Sequence, residues 1–198
     1  ETARSTVIAF YGGLRAGKAD ADAKMTLQRT FKGKFTDDPQ ALAATDPNYT
    51  RIAALILSNI SVADVVIGTL GSADHRRLSD THFFGEQGEE RVNYTVNFKG
   101  QGANDGADVR SKTVSKYTND DGVTLLSASD AAVTPESALS RQITTKGLTD
   151  QKLSENFFDT HNGASDEKLN YTLNYKGAAG SETARSTVIA FYGGLRAG

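Results

Sequence analysis

Alternation of apolar and polar residues is the dominant signal along this chain, and it predicts strands. Lys24 to Phe35 sets Met25, Leu27, Arg29 and Phe31 on one parity against polar neighbours, as a strand with one buried face requires. Leu78 to Phe84, a polar Gly-containing loop and Asn93 to Gly100 (NYTVNFKG) predict a hairpin. Its echo is Leu153 to Phe158, a loop and Asn170 to Gly177 (NYTLNYKG). A fainter third echo runs from Phe10-Tyr11 through a Gly-rich loop to Met25 and on to Lys32-Gly33. Lys32, Lys99 and Lys176 are 67 and 77 residues apart, too long and uneven for a propeller blade or a solenoid coil. They favour similar hairpins within one sandwich, or two ancestral half-domains. Between the first two echoes, Thr36 to Asn48, with Pro39 and Pro47, predicts a loop with a helical turn at Gln40 to Ala44. The β-branched residues between Arg51 and Leu70 favour two buried strands over a helix. Gln101 to Asp108 and Tyr117 to Gly122 read as polar turns.

The same 17 residues, ETARSTVIAFYGGLRAG, occupy positions 1–17 and 182–198. Neither chance nor ordinary duplication leaves such a copy, so it is either engineered or marks where a unit of 181 residues closes on itself. Both readings make it a segment that joins one subunit to the next. Read as a strand, it carries Thr6, Ile8, Phe10, Gly12 and Leu14 on one parity, a large apolar face broken by one glycine.

Ile8-x-Phe10-x-Gly12-x-Leu14, preceded by Ser5-Thr6, resembles the N-terminal donor strand of chaperone-usher pilins. That resemblance implies an all-β fold, an immunoglobulin-like Greek-key sandwich lacking its last strand and completed by a strand from a neighbour, a form of strand addition. On this sequence the pocket-filling residues would be Ile8, Phe10, Gly12 and Leu14, repeated as Ile189, Phe191, Gly193 and Leu195. Ile189, Phe191 and Leu195 are then expected to be among the most buried residues. Tyr171, Leu173 and Tyr175 resemble the terminal pilin strand that borders the groove. Implied boundaries are a donor extension at 1–17, the sandwich at 18–177, a linker at 178–181 and a second donor strand at 182–198. Implied too are an extracellular fimbria reached through the periplasm, a role in adhesion or biofilm formation, and a periplasmic chaperone and outer-membrane usher as partners beside other pilus subunits. The absence of cysteine departs from the disulfide-stapled branches of that family.

Composition narrows the chemistry. With 22 basic and 24 acidic residues interspersed, no face is marked for nucleic acid. No apolar run reaches the length of a membrane-spanning helix. Without cysteine there is no thiol catalysis or thiolate metal site. His75, His82 and His161 are the only histidines, and Asp80 beside His82 could at most complete a metal pair; solvated turn histidines explain them better. Asp20, Asp22, Asn104, Asp105 and Asp108 lack the calcium-loop spacing. The sequons at Asn48, Asn59, Asn93 and Asn170 matter only in a eukaryotic secretory pathway. No nucleophile elbow, phosphate loop or dinucleotide fingerprint occurs, so neither an enzyme nor a cofactor is expected.

Three classes follow: a pilus subunit; an adhesin, filament or shell protein built from 181-residue tandem units; or a glycan- or receptor-binding sandwich whose loops carry the site.

Overall fold

A computed structural model describes residues 5–12, 14–15, 19–32, 77–99, 109–118 and 123–196. The loop at Thr36 to Asn48, the strands expected between Arg51 and Leu70, His75 and the turn at Gln101 to Asp108 lie outside them. The described residues are all-β and contain no helix. Their strands are β1 (Ser5–Tyr11), β2 (Leu14–Arg15), β3 (Met25–Lys32), β4 (Arg77–Phe84), β5 (Arg91–Phe98), β6 (Val109–Thr118) and β7 (Leu125–Ser127), followed by β8 (Ala138–Lys146), β9 (Lys152–Asp159), β10 (Lys168–Lys176), β11 (Thr183–Ile189), β12 (Phe191–Tyr192) and β13 (Leu195–Arg196).

Eleven of these strands form one antiparallel sheet in the order β11-β10-β9-β8-β6-β5-β4-β3-β1-β2, with β7 beside β6. Apart from β7, the order follows the chain from β3 to β11, as a meander does, while β2 lies beyond β1, so that β1 stands between β2 and β3. The pairings of the described strands do not include those of an immunoglobulin-like Greek key. The expected hairpins β4–β5 and β9–β10 form. Tyr117 and Thr118, expected in a turn, belong to β6 and are buried, and the rest of that expected turn, 119–122, lies outside the described residues.

Period-two side chains give the sheet two different faces. Phe10, Leu27, His82, Tyr94, Val114, Ile143, Glu155 and Leu173 stand side by side on consecutive neighbouring strands. On this face His82 stacks on Tyr94 with ring centroids 4.3 Å apart, and Phe157 stacks on Tyr171 at 4.4 Å. Long cations lie over the rings: Lys112 over Tyr94 at 4.5 Å and Arg141 over Phe157 at 4.6 Å, each adding cation–π attraction. The opposite face carries Gln28, Thr81, Thr95, Thr113, Thr144, Ser154, Asn174 and Ser186 in one row. Hydroxyls pair along it, Thr81 with Thr95 at 3.0 Å and Thr113 with Thr144 at 2.9 Å.

Burial is deepest where β1, β3 and β4 meet. Ile8, Phe10 and Leu27 are buried there, together with Arg29 and Asp80. Two charges taken out of water need each other. Arg29 donates from Nε to Asp80 Oδ1 at 2.8 Å and from Nη2 to Oδ2 at 2.7 Å, the bidentate geometry that a planar guanidinium fits best.

Candidate functional site

The two copies of the repeated peptide form the two opposite margins of one open sheet. Residues 5–11 pair with β3, from Ser5 opposite Lys32 to Phe10 opposite Leu27. Residues 183–189 pair with β10, with Tyr171 opposite Ile189, Leu173 opposite Thr187 and Tyr175 opposite Ala184. Tyr171, Leu173 and Tyr175 thus stand beside the C-terminal copy. The Tyr175 hydroxyl donates to Glu155 at 2.8 Å, and burial, then this bond to a carboxylate, pushes its ionisation up to about 12. Arg141 completes the group, donating to Glu155 at 3.2 Å.

Neither copy runs on as one straight strand. In both, the Gly-Gly pair closes a two-residue hairpin: Tyr11 opposes Leu14, and Tyr192 opposes Leu195. Gly12 has φ of 56° and Gly193 of 58°, the left-handed values that such tight turns demand and that glycine adopts without steric cost. This corrects the expectation of one continuous alternating strand through Gly12 and Gly193. Nothing in the chain lies within 4 Å of a Cβ built at either position, so within the chain it is the turn that requires glycine.

Identical residues meet different surroundings. Ile8 and Phe10 are 6% and 4% exposed, whereas Ile189 is 44%, Phe191 66% and Leu195 75% exposed. The expectation that Ile189, Phe191 and Leu195 are buried is therefore not met in the isolated chain. Val188, Ile189, Phe191, Tyr192 and Leu195 are half of the large apolar side chains that lie exposed among the described residues.

The connection into the second copy is a built turn, not a loose linker. Gly177-Ala178-Ala179-Gly180-Ser181-Glu182 repeats the pattern of Gly85-Glu86-Gln87-Gly88-Glu89-Glu90 between β4 and β5. Gly85 and Gly177 have φ of 134° and 115°, and Gly88 and Gly180 of 80° and 78°. A backbone hydrogen bond of 3.0 Å closes each, Glu89 to Glu86 and Ser181 to Ala178. A Cβ on Gly85 or Gly177 would stand 2.7 or 2.8 Å from the carbonyl oxygen of Glu89 or Ser181. The closing glutamate reaches across the intervening strand: Glu90 accepts the Met25 amide and Glu182 the Lys152 amide, both at 2.9 Å. These amides hold both carboxyls below their ordinary range. Glu167, just before β10, takes the Leu139 amide at 2.7 Å in the same manner. Sequence reading missed this device, although Gly-x-x-Gly-x-Glu stands in both places.

No known protein family, curated protein or solved structure matches this chain. Its own geometry therefore carries the functional reading.

Other candidate chemistry is dispersed. Asp80 is held by Arg29, His82 is stacked on Tyr94, and His161 pairs with Asp159 at 2.5 Å on an exposed turn. Among the described residues no group of three or more His, Asp or Glu side chains is placed to hold a metal. A shallow depression near Phe84, Arg91 and Pro135 is bridged by Arg91, which donates to the carbonyls of Ser137 and Pro135.

Proposed function

We propose that this chain is a structural protein, neither enzyme nor cofactor carrier, whose units assemble by strand addition at the margins of the sheet. One observation carries this reading: a single 17-residue peptide forms both margins, and its C-terminal copy leaves apolar side chains in solvent. Open sheet margins with unpaired N–H and C=O groups are templates for another strand, and proteins that do not assemble protect them. Among the described strands β11 has β10 as its one neighbour, so its other margin offers a row of such groups beside the exposed Val188 and Ile189.

Of the two assembling classes, the filament, adhesin or shell protein of 181-residue units is favoured over the pilin. What favours it is the turn at Gly177 to Glu182, which copies the β4–β5 turn in sequence, dihedral angles and glutamate clamp. An appended linker has no reason to do so. The pilin reading, with its immunoglobulin-like sandwich, donor strand, chaperone and usher, would need Ile189, Phe191 and Leu195 to enter a groove of a neighbouring subunit. Partners under the favoured reading are further copies of the unit.

Refolding the chain from denaturant over a range of concentrations, followed by sedimentation velocity, tests the proposal. Elongated oligomers that grow with concentration, and that vanish on deletion of residues 182–198, are the expected result. A monomer at every concentration overturns it.

A further inference from the structure

The two copies expose different sides of the same strand, and this says what covers the free margin. Backbone groups of successive residues in a strand point to opposite margins. In the C-terminal copy the Ala190 amide donates to the Asn170 carbonyl at 3.0 Å, on the β10 side. In the N-terminal copy the Gly12 amide donates to the Lys24 carbonyl at 2.9 Å, on the β3 side. Ala190 is the counterpart of Ala9, and Gly12 lies three positions beyond Ala9. An odd separation puts the two bonds on opposite margins of the peptide.

The short hairpin agrees. Tyr192 donates its hydroxyl to the Leu169 carbonyl at 3.1 Å, and Arg196 donates Nε to Asn170 Oδ1 at 2.8 Å, so β13 lies on the β10 side. In the first copy β2 lies on the side of β1 away from β3. One copy of the peptide can therefore hold a β10 and a β3 at the same time. The bulge between Asn174 and Tyr175 places the extra residue at Arg185, before the stretch concerned; residues 186–189 are in regular register with β10, and the Ala190 bond to Asn170 continues it by one residue.

We propose that residues 186–192 are a shared strand, paired with β10 of their own unit through one margin and with β3 of a second copy of this chain through the other. This rests on the assembly reading above and adds its partner and register. Val188 comes opposite the partner's Thr30, Ile189 opposite the partner's Arg29 and Phe191 opposite the partner's Leu27, as Val7, Ile8 and Phe10 do within the chain. Ile189 and Phe191 thereby move from solvent to the sites where Ile8 and Phe10 are buried. The sheet runs through the junction without a seam, and each junction uses one copy of the peptide. In a separate chain, β1 occupies the acceptor margin of β3 and must leave before a partner's strand enters.

Two full-length variants separate this from simple abutment of β11 on the β1 margin. Ile8→Asp with Phe10→Asp loosens the resident β1 and leaves the C-terminal copy intact, so oligomers should increase at a given concentration. Ile189→Asp with Phe191→Asp should abolish them. Loss of oligomers in both variants, with the sheet signal in circular dichroism retained, overturns strand sharing and leaves assembly standing. A crosslink does not depend on those variants folding. The chain has no cysteine. Val188→Cys with Thr30→Cys probes a non-hydrogen-bonded pair, whose Cβ atoms lie close. Within one chain these residues are seven strand spacings apart, about 34 Å, so any disulfide joins two molecules. A disulfide-linked ladder after concentrated refolding supports the shared strand. Oligomers without the crosslink overturn it, and the absence of oligomers in every sample overturns the assembly reading and the shared strand together.

Discussion

The Glu182 carboxylate accepts the backbone amide of Lys152 at 2.9 Å, reaching across β10 to the start of β9. It fastens the entry of the C-terminal copy to a strand two places away in the sheet. Glu90 does the same at Met25, where the N-terminal copy pairs with β3.

Acid should loosen both fastenings. The two carboxyls are held below 4.5, chiefly by the amides of Met25 and Lys152. A carboxyl lowered on folding contributes stability above its unfolded value and loses it as pH falls through the folded value. Thermal midpoints should therefore drop as pH falls below about 4.5, and Glu90→Gln should flatten that part of the profile. Identical profiles for variant and parent would contradict the clamp.

Breaking the buried ion pair should be costly. Asp80→Ala strands the Arg29 guanidinium, which is 1% exposed, and is expected to cost about 3–5 kcal/mol in denaturant unfolding. Replacing Arg29 and Asp80 together by Met and Leu should cost much less, because no unpaired charge is left.

Identical substitutions in the two copies should differ. Phe10→Ala empties a buried site and is expected to destabilise the chain by about 3–5 kcal/mol. Phe191→Ala removes a side chain that is 66% exposed, so unfolding at low concentration should change within about 0.5 kcal/mol. Its effect should appear in sedimentation, as lost oligomers.

The glycines should sort by what surrounds them. Gly193→Asn is expected to be tolerated, since asparagine visits the left-handed region and the site is open. Gly177→Ala meets the Ser181 carbonyl and a φ of 115°, so its melting temperature should fall further. Equal shifts at both positions would sink this distinction.

Much of the sheet is legible in the order of residues. Alternation in Met25 to Phe31, Tyr94 to Phe98 and Tyr171 to Tyr175 announces strands, because period two is a property of the extended backbone itself. The 17-residue identity is likewise plain in the sequence. Strands β6 and β8 are less legible. Ser111, Thr113 and Ser115, like Ser140, Gln142 and Thr144, give no apolar parity, and a Ser/Thr/Asn/Gln face needs neighbours on both sides before its hydroxyls have partners.

The order of residues by itself determined that this is a strand-rich chain in which residues 1–17 and 182–198 are one repeated peptide. Only the tertiary structure decided where each copy stands and how deeply it is buried, since identical residues have identical local preferences. Which margin is filled, and whether an isoleucine is buried as Ile8 or exposed as Ile189, depends on the strand that stands beside it. The Gly-Gly turn belongs to the same lesson: alternation runs unbroken through Gly12 in the sequence, but a left-handed glycine reverses the chain there, and side-chain parity does not record a change in backbone direction.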